Sequence, residues 1–127
     1  MSHTDELMRS DAVLIIGGRA SKELLDALSG AGLTAVLKRS LRAALAEVRH
    51  RAHRAVVIND SDPEQDILEM VLNIRDFDER VPVVILRTSG RTGKTNGLLQ
   101  DLGVQALSAS SEPQAIVRCV LSAIASR

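Results

Sequence analysis

Asp60, the adjacent glycines Gly17 and Gly18, and a few basic and hydroxyl side chains are the residues of this chain whose types and placing point to chemistry. Asp60 and Asn59 close the apolar run Ala55-Val56-Val57-Ile58, and Gly17-Gly18 close another, Ala12-Val13-Leu14-Ile15-Ile16. Short β-branched runs of this kind fit strands covered on both faces. In a parallel α/β sheet their carboxyl ends converge on the crevice where such folds bind ligands. A carboxylate there is a candidate nucleophile for phosphoryl transfer if its charge is neutralised nearby. A divalent cation would need several carboxylates, and glycines stand where the first strand would supply them. Gly17-Gly18 then have two readings: a tight strand-to-helix turn, or a set of backbone N–H groups that, with Arg19 and Ser21 at the following helix start, contact a small anion. Asp60 likewise reads as a solvated carboxylate, a partner of Arg19 or Arg87, or a phosphoacceptor.

Three further constellations carry weaker chemistry. Gly93-Lys94-Thr95 matches the end of a phosphate-binding loop, but the motif's first position is Thr88 rather than Gly, and too little chain follows for a nucleotide hydrolase. A flexible loop, with Gly90, Gly93 and Gly97, is the plainer reading. Arg49, His50, Arg51, His53 and Arg54 crowd a helix end, where basic side chains complement the helix dipole. His50 and His53 are spaced for a shared metal, yet no carboxylate or cysteine joins them locally, so no metal is expected. Cys119 lies beside an apolar stripe and reads as packing.

The chain has 127 residues with 16 basic and 16 acidic side chains, enough for one domain and with no net field to recruit nucleic acid or an anionic membrane. Phe77 is the only aromatic residue, which removes the stacking platforms of single-strand nucleic-acid binders. One cysteine excludes an internal disulfide, and no secretory or membrane-spanning pattern appears. A cytoplasmic setting is expected, with residues 1–10 a flexible N-terminal segment and 11–127 a single domain.

The elements that must position these residues alternate in period. After the first strand, Leu24, Leu25, Leu28 and Ala31 recur at helical spacing from Ser21 until Gly30 and Gly32. Thr34 to Leu37 predict a strand at the sheet edge. Ser40 predicts the cap of a second helix that buries Leu41, Ala44, Leu45 and Val48. Asp62-Pro63-Glu64-Gln65 has the form of a helix start, followed by Ile67, Leu68, Val71, Leu72 and Ile74, with Phe77 covering the end. Val81 to Leu86 predict the fourth strand, residues around Leu98, Leu99 and Leu102 a short fourth helix, and Val104 to Leu107 a weak edge strand. Ser111-Glu112-Pro113-Gln114 starts a last helix with Ile116, Val117, Val120, Leu121 and Ile124 on its apolar face. Five β-α units with short connections predict a three-layer, doubly wound parallel sheet, flavodoxin-like, of strand order 2-1-3-4-5.

With this pattern the chain resembles the response-regulator receiver domains of two-component signalling. The likeness runs from Val13-Leu14-Ile15-Ile16 through Ala55–Asp60, Ile67–Arg75 and Val81-Pro82-Val83-Val84-Ile85-Leu86 to Leu102-Gly103-Val104. It implies an acidic pair binding magnesium after the first strand, a phosphoaccepting Asp after the third, a Thr or Ser after the fourth and a Lys after the fifth. Asp60 matches the acceptor. Gly17-Gly18 replace the acidic pair, Arg87 or Thr88 falls at the hydroxyl position, and Ser110 lies near the expected Lys. The resemblance thus implies a pseudo-receiver without a cofactor, meeting a protein partner or another copy through the fourth helix, fifth strand and last helix. Asp60-Ser61-Asp62 also looks like the non-catalytic, receiver-like wing domain of bacterial ornithine/lysine/arginine decarboxylases. A receiver phosphorylated on Asp60 with unusual ligands is the remaining alternative.

Overall fold

Alternate residues of the central strands enter different cores, and this alternation organises the molecule. The computed structural model describes residues 10–17, 20–60, 66–87 and 100–126. In chain order the elements are β1 (Ala12–Ile16), α1 (Lys22–Gly30), β2 (Thr34–Lys38), α2 (Leu41–His50), β3 (Ala55–Asp60), α3 (Ile67–Phe77), β4 (Val83–Arg87), β5 (Gln105–Ser108) and α4 (Pro113–Ala125). The five strands pair in parallel in the order β2-β1-β3-β4-β5, as the β-α alternation predicts. Leu14, Ile16, Val56, Ile58, Val83 and Ile85 pack beneath α2 and α3 with Ala44, Val48, Met70, Val71 and Ile74. Val13, Ile15, Ala55, Val57, Val84 and Leu86 pack beneath α1 and α4 with Leu24, Leu28, Val117 and Val120. Side chains of a strand alternate between faces, so a run apolar at every position is a strand covered on both.

The helix ends follow from local hydrogen bonding. Ser21 and Ser40 cap α1 and α2, their Oγ atoms accepting from Leu24 N at 3.1 Å and Ala43 N at 3.2 Å. At the other end of α1, Gly32 takes φ of 81°. Leu33 N donates to Leu28 O at 2.9 Å and Gly32 N to Ser29 O at 3.0 Å. This paired arrangement ends helices where a left-handed residue is tolerated, with Leu33 and Leu28 both buried against the core.

Several boundaries differ from the sequence reading. The third helix is capped by Asp66, whose Oδ1 accepts from Glu69 N at 3.0 Å. Asp62-Pro63-Glu64-Gln65 lies outside the described residues. β4 starts at Val83 because Pro82 has no N–H to give a ladder; its carbonyl instead accepts from Val56 N at 2.9 Å. β5 begins at Gln105, and Val104 goes to the core under α2 and α3. Leu121 is 41% exposed on α4 and Ala123 takes its expected place in the core. Leu72, expected on the apolar side of α3, is exposed, and Met70 is buried there. Of the expected fourth helix, Gln100 and Asp101 are helical and Gly103, at φ of 75°, follows them; Leu98 and Leu99 lie outside the described residues.

The amino edge of the sheet holds a polar clasp. His53 is the buried polar side chain of the described residues, 1% exposed, and its Nε2 lies 2.8 Å from Glu47 Oε2. Arg51 Nε donates to the same oxygen at 2.8 Å. The sequence reading that no carboxylate joins the histidines is corrected: Glu47 joins His53, because the turn after α2 brings residue 53 back beneath the helix end. Nearby, Ser10 N and Oγ both donate to Ala52 O, and Arg54 pairs with Asp11 at 3.0 Å.

Two outcomes test this picture. A Cβ added at Gly30 or Gly32 meets nothing within 4 Å, so only backbone preference separates them. Gly30→Ala is expected to raise stability by roughly 0.5–1 kcal/mol. Gly32→Ala is expected to lower it by about 1–2 kcal/mol. Urea unfolding followed by far-ultraviolet circular dichroism measures both. The Arg51 hydrogen bond holds the Glu47 carboxyl below its ordinary value, against partial burial and with help from His53. A carboxyl depressed in the folded state stabilises above its unfolded pKa, and that contribution disappears as pH falls through the folded value. Glu47→Gln should therefore reduce the acid-side loss of stability in a pH series of unfolding curves.

Candidate functional site

The crevice at the carboxyl edge is set by the register of the central strands. Asp60 is level with Arg87 across β3 and β4, and Arg87 is level with Ser108 across β4 and β5. Arg87 is the last residue of β4 and the one beside Asp60 in the ladder. Thr88, Gly18 and Arg19 lie outside the described residues. Arg87 O accepts from Ala109 N at 2.7 Å, which holds the start of the loop after β5 against β4. In that loop Ser110 is exposed, its Oγ 2.8 Å from Ser108 Oγ and its N–H donating to the same atom at 3.2 Å. Its hydroxyl is engaged with a neighbouring serine and offers no positive charge, so nothing about it substitutes for a lysine.

Gly17 follows Ile16 with φ of 79°, in the left-handed region, and its N–H donates to Lys38 O at 2.8 Å. Both facts bear on the two sequence readings. The N–H is committed to the β2 strand end, so it is engaged in the turn rather than presented to an anion. The backbone sign favours glycine, since other residues pay about 1–2 kcal/mol in this conformation. Gly17 is a turn residue, and a side chain at this position would strain the chain where β1 leaves the sheet.

Asn59 stands one residue before Asp60 and, by the alternation of β3, belongs to the α1 and α4 side. There it lines a recess of about 180 Å³ with Ser21, Leu24, Leu86, Ser111 and Ile116. The structure thus brings Asn59 and Ser21 into one recess, and it sets Asp60, Arg87 and Ser108 in one row of the sheet. Ser21 is the helix cap, so its oxygen already has a donor. The sequence reading missed Ser108, which carries no motif, and took Ser111 only as part of a helix start; their places at the crevice depend on where β5 ends.

Of the weaker candidates, Cys119 and the histidines lie within the described residues. Cys119 Sγ donates to Gln105 Oε1 at 3.3 Å, and burial pushes the thiol pKa up, so the thiolate is disfavoured. Among the described residues no group of three or more His, Cys, Asp or Glu is placed to hold a metal ion. Among them, too, no helix is long and apolar enough to cross a membrane. The loop Thr88-Ser89-Gly90-Arg91-Thr92-Gly93-Lys94-Thr95 lies outside the described residues.

No protein-family model matches the sequence, and no curated protein matches it. Solved structures do match in shape. The chain is similar to a sensor protein from Polaromonas sp. JS666, with a TM-score of 0.75 and 20% identity over 91% of this chain and 96% of that one. It is similar to the chemotaxis response regulator CheY4 of Vibrio cholerae, with a TM-score of 0.73 and 17% identity over 88% and 97% of the two chains. The beryllofluoride-activated NtrC4 receiver domain dimer gives a TM-score of 0.79 and 16% identity over 92% and 98%. At these identities the likeness lies in the path of the chain, and together with the strand order it identifies the architecture: this chain has the fold of the response-regulator receiver domains.

Proposed function

We propose that the chain is a pseudo-receiver, a non-catalytic cytoplasmic signalling module that regulates a partner through protein contacts and without conventional magnesium-dependent aspartyl phosphorylation. The observation that carries this reading is Gly17 in a left-handed turn where the receiver resemblance implies the magnesium-binding acidic pair. Two further departures support it. Arg87, one of the two residues with Thr88 at the implied hydroxyl position, is level with Asp60, and Ser110, near the implied lysine, pairs with Ser108. A phosphoryl group on a carboxylate requires its negative charge to be met by metal and cation together, and the described residues offer one arginine in that row.

The contact surface in this reading is the one formed by the helix expected around Leu98, Leu99 and Leu102, by β5 and by the last helix, α4. Among the described residues β5 is a short edge strand of the sheet. Leu121 is exposed on α4, and exposed large apolar side chains favour association. One solved structure of similar fold is described as a receiver domain dimer.

Two experiments test the proposal. In an amide NMR titration with magnesium and then beryllofluoride, resonances of Asn59, Arg87 and Ser108 are expected to stay in place. Shifts centred on these residues and lost in Asp60→Asn would overturn the pseudo-receiver reading and establish a working phosphoryl switch. For the contact surface, sedimentation of the chain across a concentration series is expected to show self-association that Leu121→Glu weakens at least several-fold. An unchanged association constant in that variant would remove α4 from the interface.

A further inference from the structure

The recess beside Asn59 joins parts of the chain that are far apart in sequence: the ends of β1, β3 and β4, the start of α1 and the start of α4. Its volume is about 180 Å³. A dry protein cavity of roughly 150 Å³ holds a benzene molecule, so this space suits a ligand of about six to eight non-hydrogen atoms. It lies at the carboxyl ends of β1 and β3, the two strands between which the order of the sheet reverses, and open α/β sheets place their ligands there.

Ile15, Leu24, Leu86 and Ile116 supply the aliphatic lining, each at most 5% exposed. Asn59 and Ser111, both partly buried, supply polar groups. Among the described residues, neither the Asn59 carboxamide nor the Ser111 hydroxyl makes a hydrogen bond, whereas Ser21 Oγ is engaged by Leu24 N. Backbone hydrogen bonds hold the walls in place: Ala109 N donates to Arg87 O at 2.7 Å, Ser111 N to Ser108 O at 3.0 Å and Ile116 N to Glu112 O at 3.1 Å. The recess is therefore formed before anything enters it, as small-molecule sites generally are.

Two uncommitted polar groups beside four aliphatic side chains set the class of ligand. Water can meet Asn59 and Ser111 but gains nothing from the aliphatic lining, and a molecule that satisfies both replaces it favourably. A carboxamide presents an acceptor and a donor side by side, and its complement is a second amide with N–H and C=O on the same edge. A net charge held against Ile15, Leu24, Leu86 and Ile116 would forfeit its hydration. We propose that the recess binds a small uncharged ligand with such an amide edge, a lactam or a primary amide, paired with Asn59 and touching Ser111, its hydrocarbon body against the aliphatic lining. Binding of this kind involves no cation and no phosphoryl group, so it is independent of whether Asp60 is phosphorylated.

δ-Valerolactam, a six-membered cyclic amide, is the probe. In an amide NMR titration of the full chain without magnesium, saturable shifts are expected at Leu24, Asn59, Leu86, Ser111 and Ile116, with a dissociation constant on the order of a millimolar. Cyclohexanone has the same ring size and no N–H, and it should bind several-fold more weakly; the charged valerate should bind more weakly still. Asn59→Leu removes both hydrogen-bonding atoms at nearly constant volume and should weaken the lactam about ten-fold, and Ser111→Ala about three-fold. Unchanged amide resonances of β1, β3 and β4 show that a variant is folded, and Ser111→Ala decides alone if Asn59→Leu does not give them. The absence of saturable shifts up to tens of millimolar lactam, or an affinity that the folded variants leave unchanged, overturns the proposal. Valerate binding as tightly as the lactam overturns it in favour of an anion site, and cyclohexanone binding as tightly overturns it in favour of a purely apolar hollow.

Discussion

The double coverage of β1, β3 and β4 is the constraint on which the rest of the structure depends. Val13 to Ile16, Val56 to Ile58 and Val83 to Ile85 are almost completely removed from solvent. Burying a side chain such as Val or Ile contributes roughly 1.5–3 kcal/mol, and ordering a residue's backbone costs roughly 1–2 kcal/mol. Three adjacent strands can gain from both faces only if helices lie above and below them. Right-handed crossovers then send α1 and α4 to one face and α2 and α3 to the other. The carboxyl ends of all the strands are delivered to one edge as a consequence, and the crevice exists because the core does.

The two edges of the sheet differ in kind. At the carboxyl edge the strands end in Asn59, Asp60, Arg87 and Ser108, and the connection after β1 turns sharply through Gly17. Asp60 and Arg87 are level with each other across β3 and β4. At the amino edge the chain closes on itself: His53 is pinned to Glu47, Arg54 to Asp11, and Ser10 to Ala52. A buried imidazole hydrogen-bonded to a carboxylate avoids the penalty of an unmet polar group, and it fixes the turn between α2 and β3. The starts of β1 and β3 are thereby locked together, which fixes the register further along the same strands.

The likeness to solved receivers is a likeness of this core. Identities of 16–20% with TM-scores of 0.73–0.79 mean that covered strands and helix pairs recur while side chains are free to change. A fold of this type is indifferent to what stands at its strand ends, so chemistry there can be lost without loss of shape. Gly17 stands in a left-handed turn at the position where the resemblance implies a carboxylate.

The apolar runs and the change from period two to helical spacing determined the element order, the strand order and most of the core. Ser21 and Ser40 were legible as caps because a capping side chain acts within three residues of itself. Asp66 was equally present in the sequence, as Asp-Ile-Leu-Glu, and it caps the helix whose Ile67, Met70 and Val71 pack under the sheet, while Asp62-Pro63 lies outside the described residues. Asp60 and Gly17 were legible as strand ends. Their surroundings were not, since the level of Asp60 with Arg87 depends on the register of β3 against β4, and register is set by contacts between residues distant in sequence. The pairing of Glu47 with His53, the exposure of Leu121 and the recess beside Asn59 were likewise decided by tertiary structure, because each depends on how separate elements meet rather than on any one element's pattern.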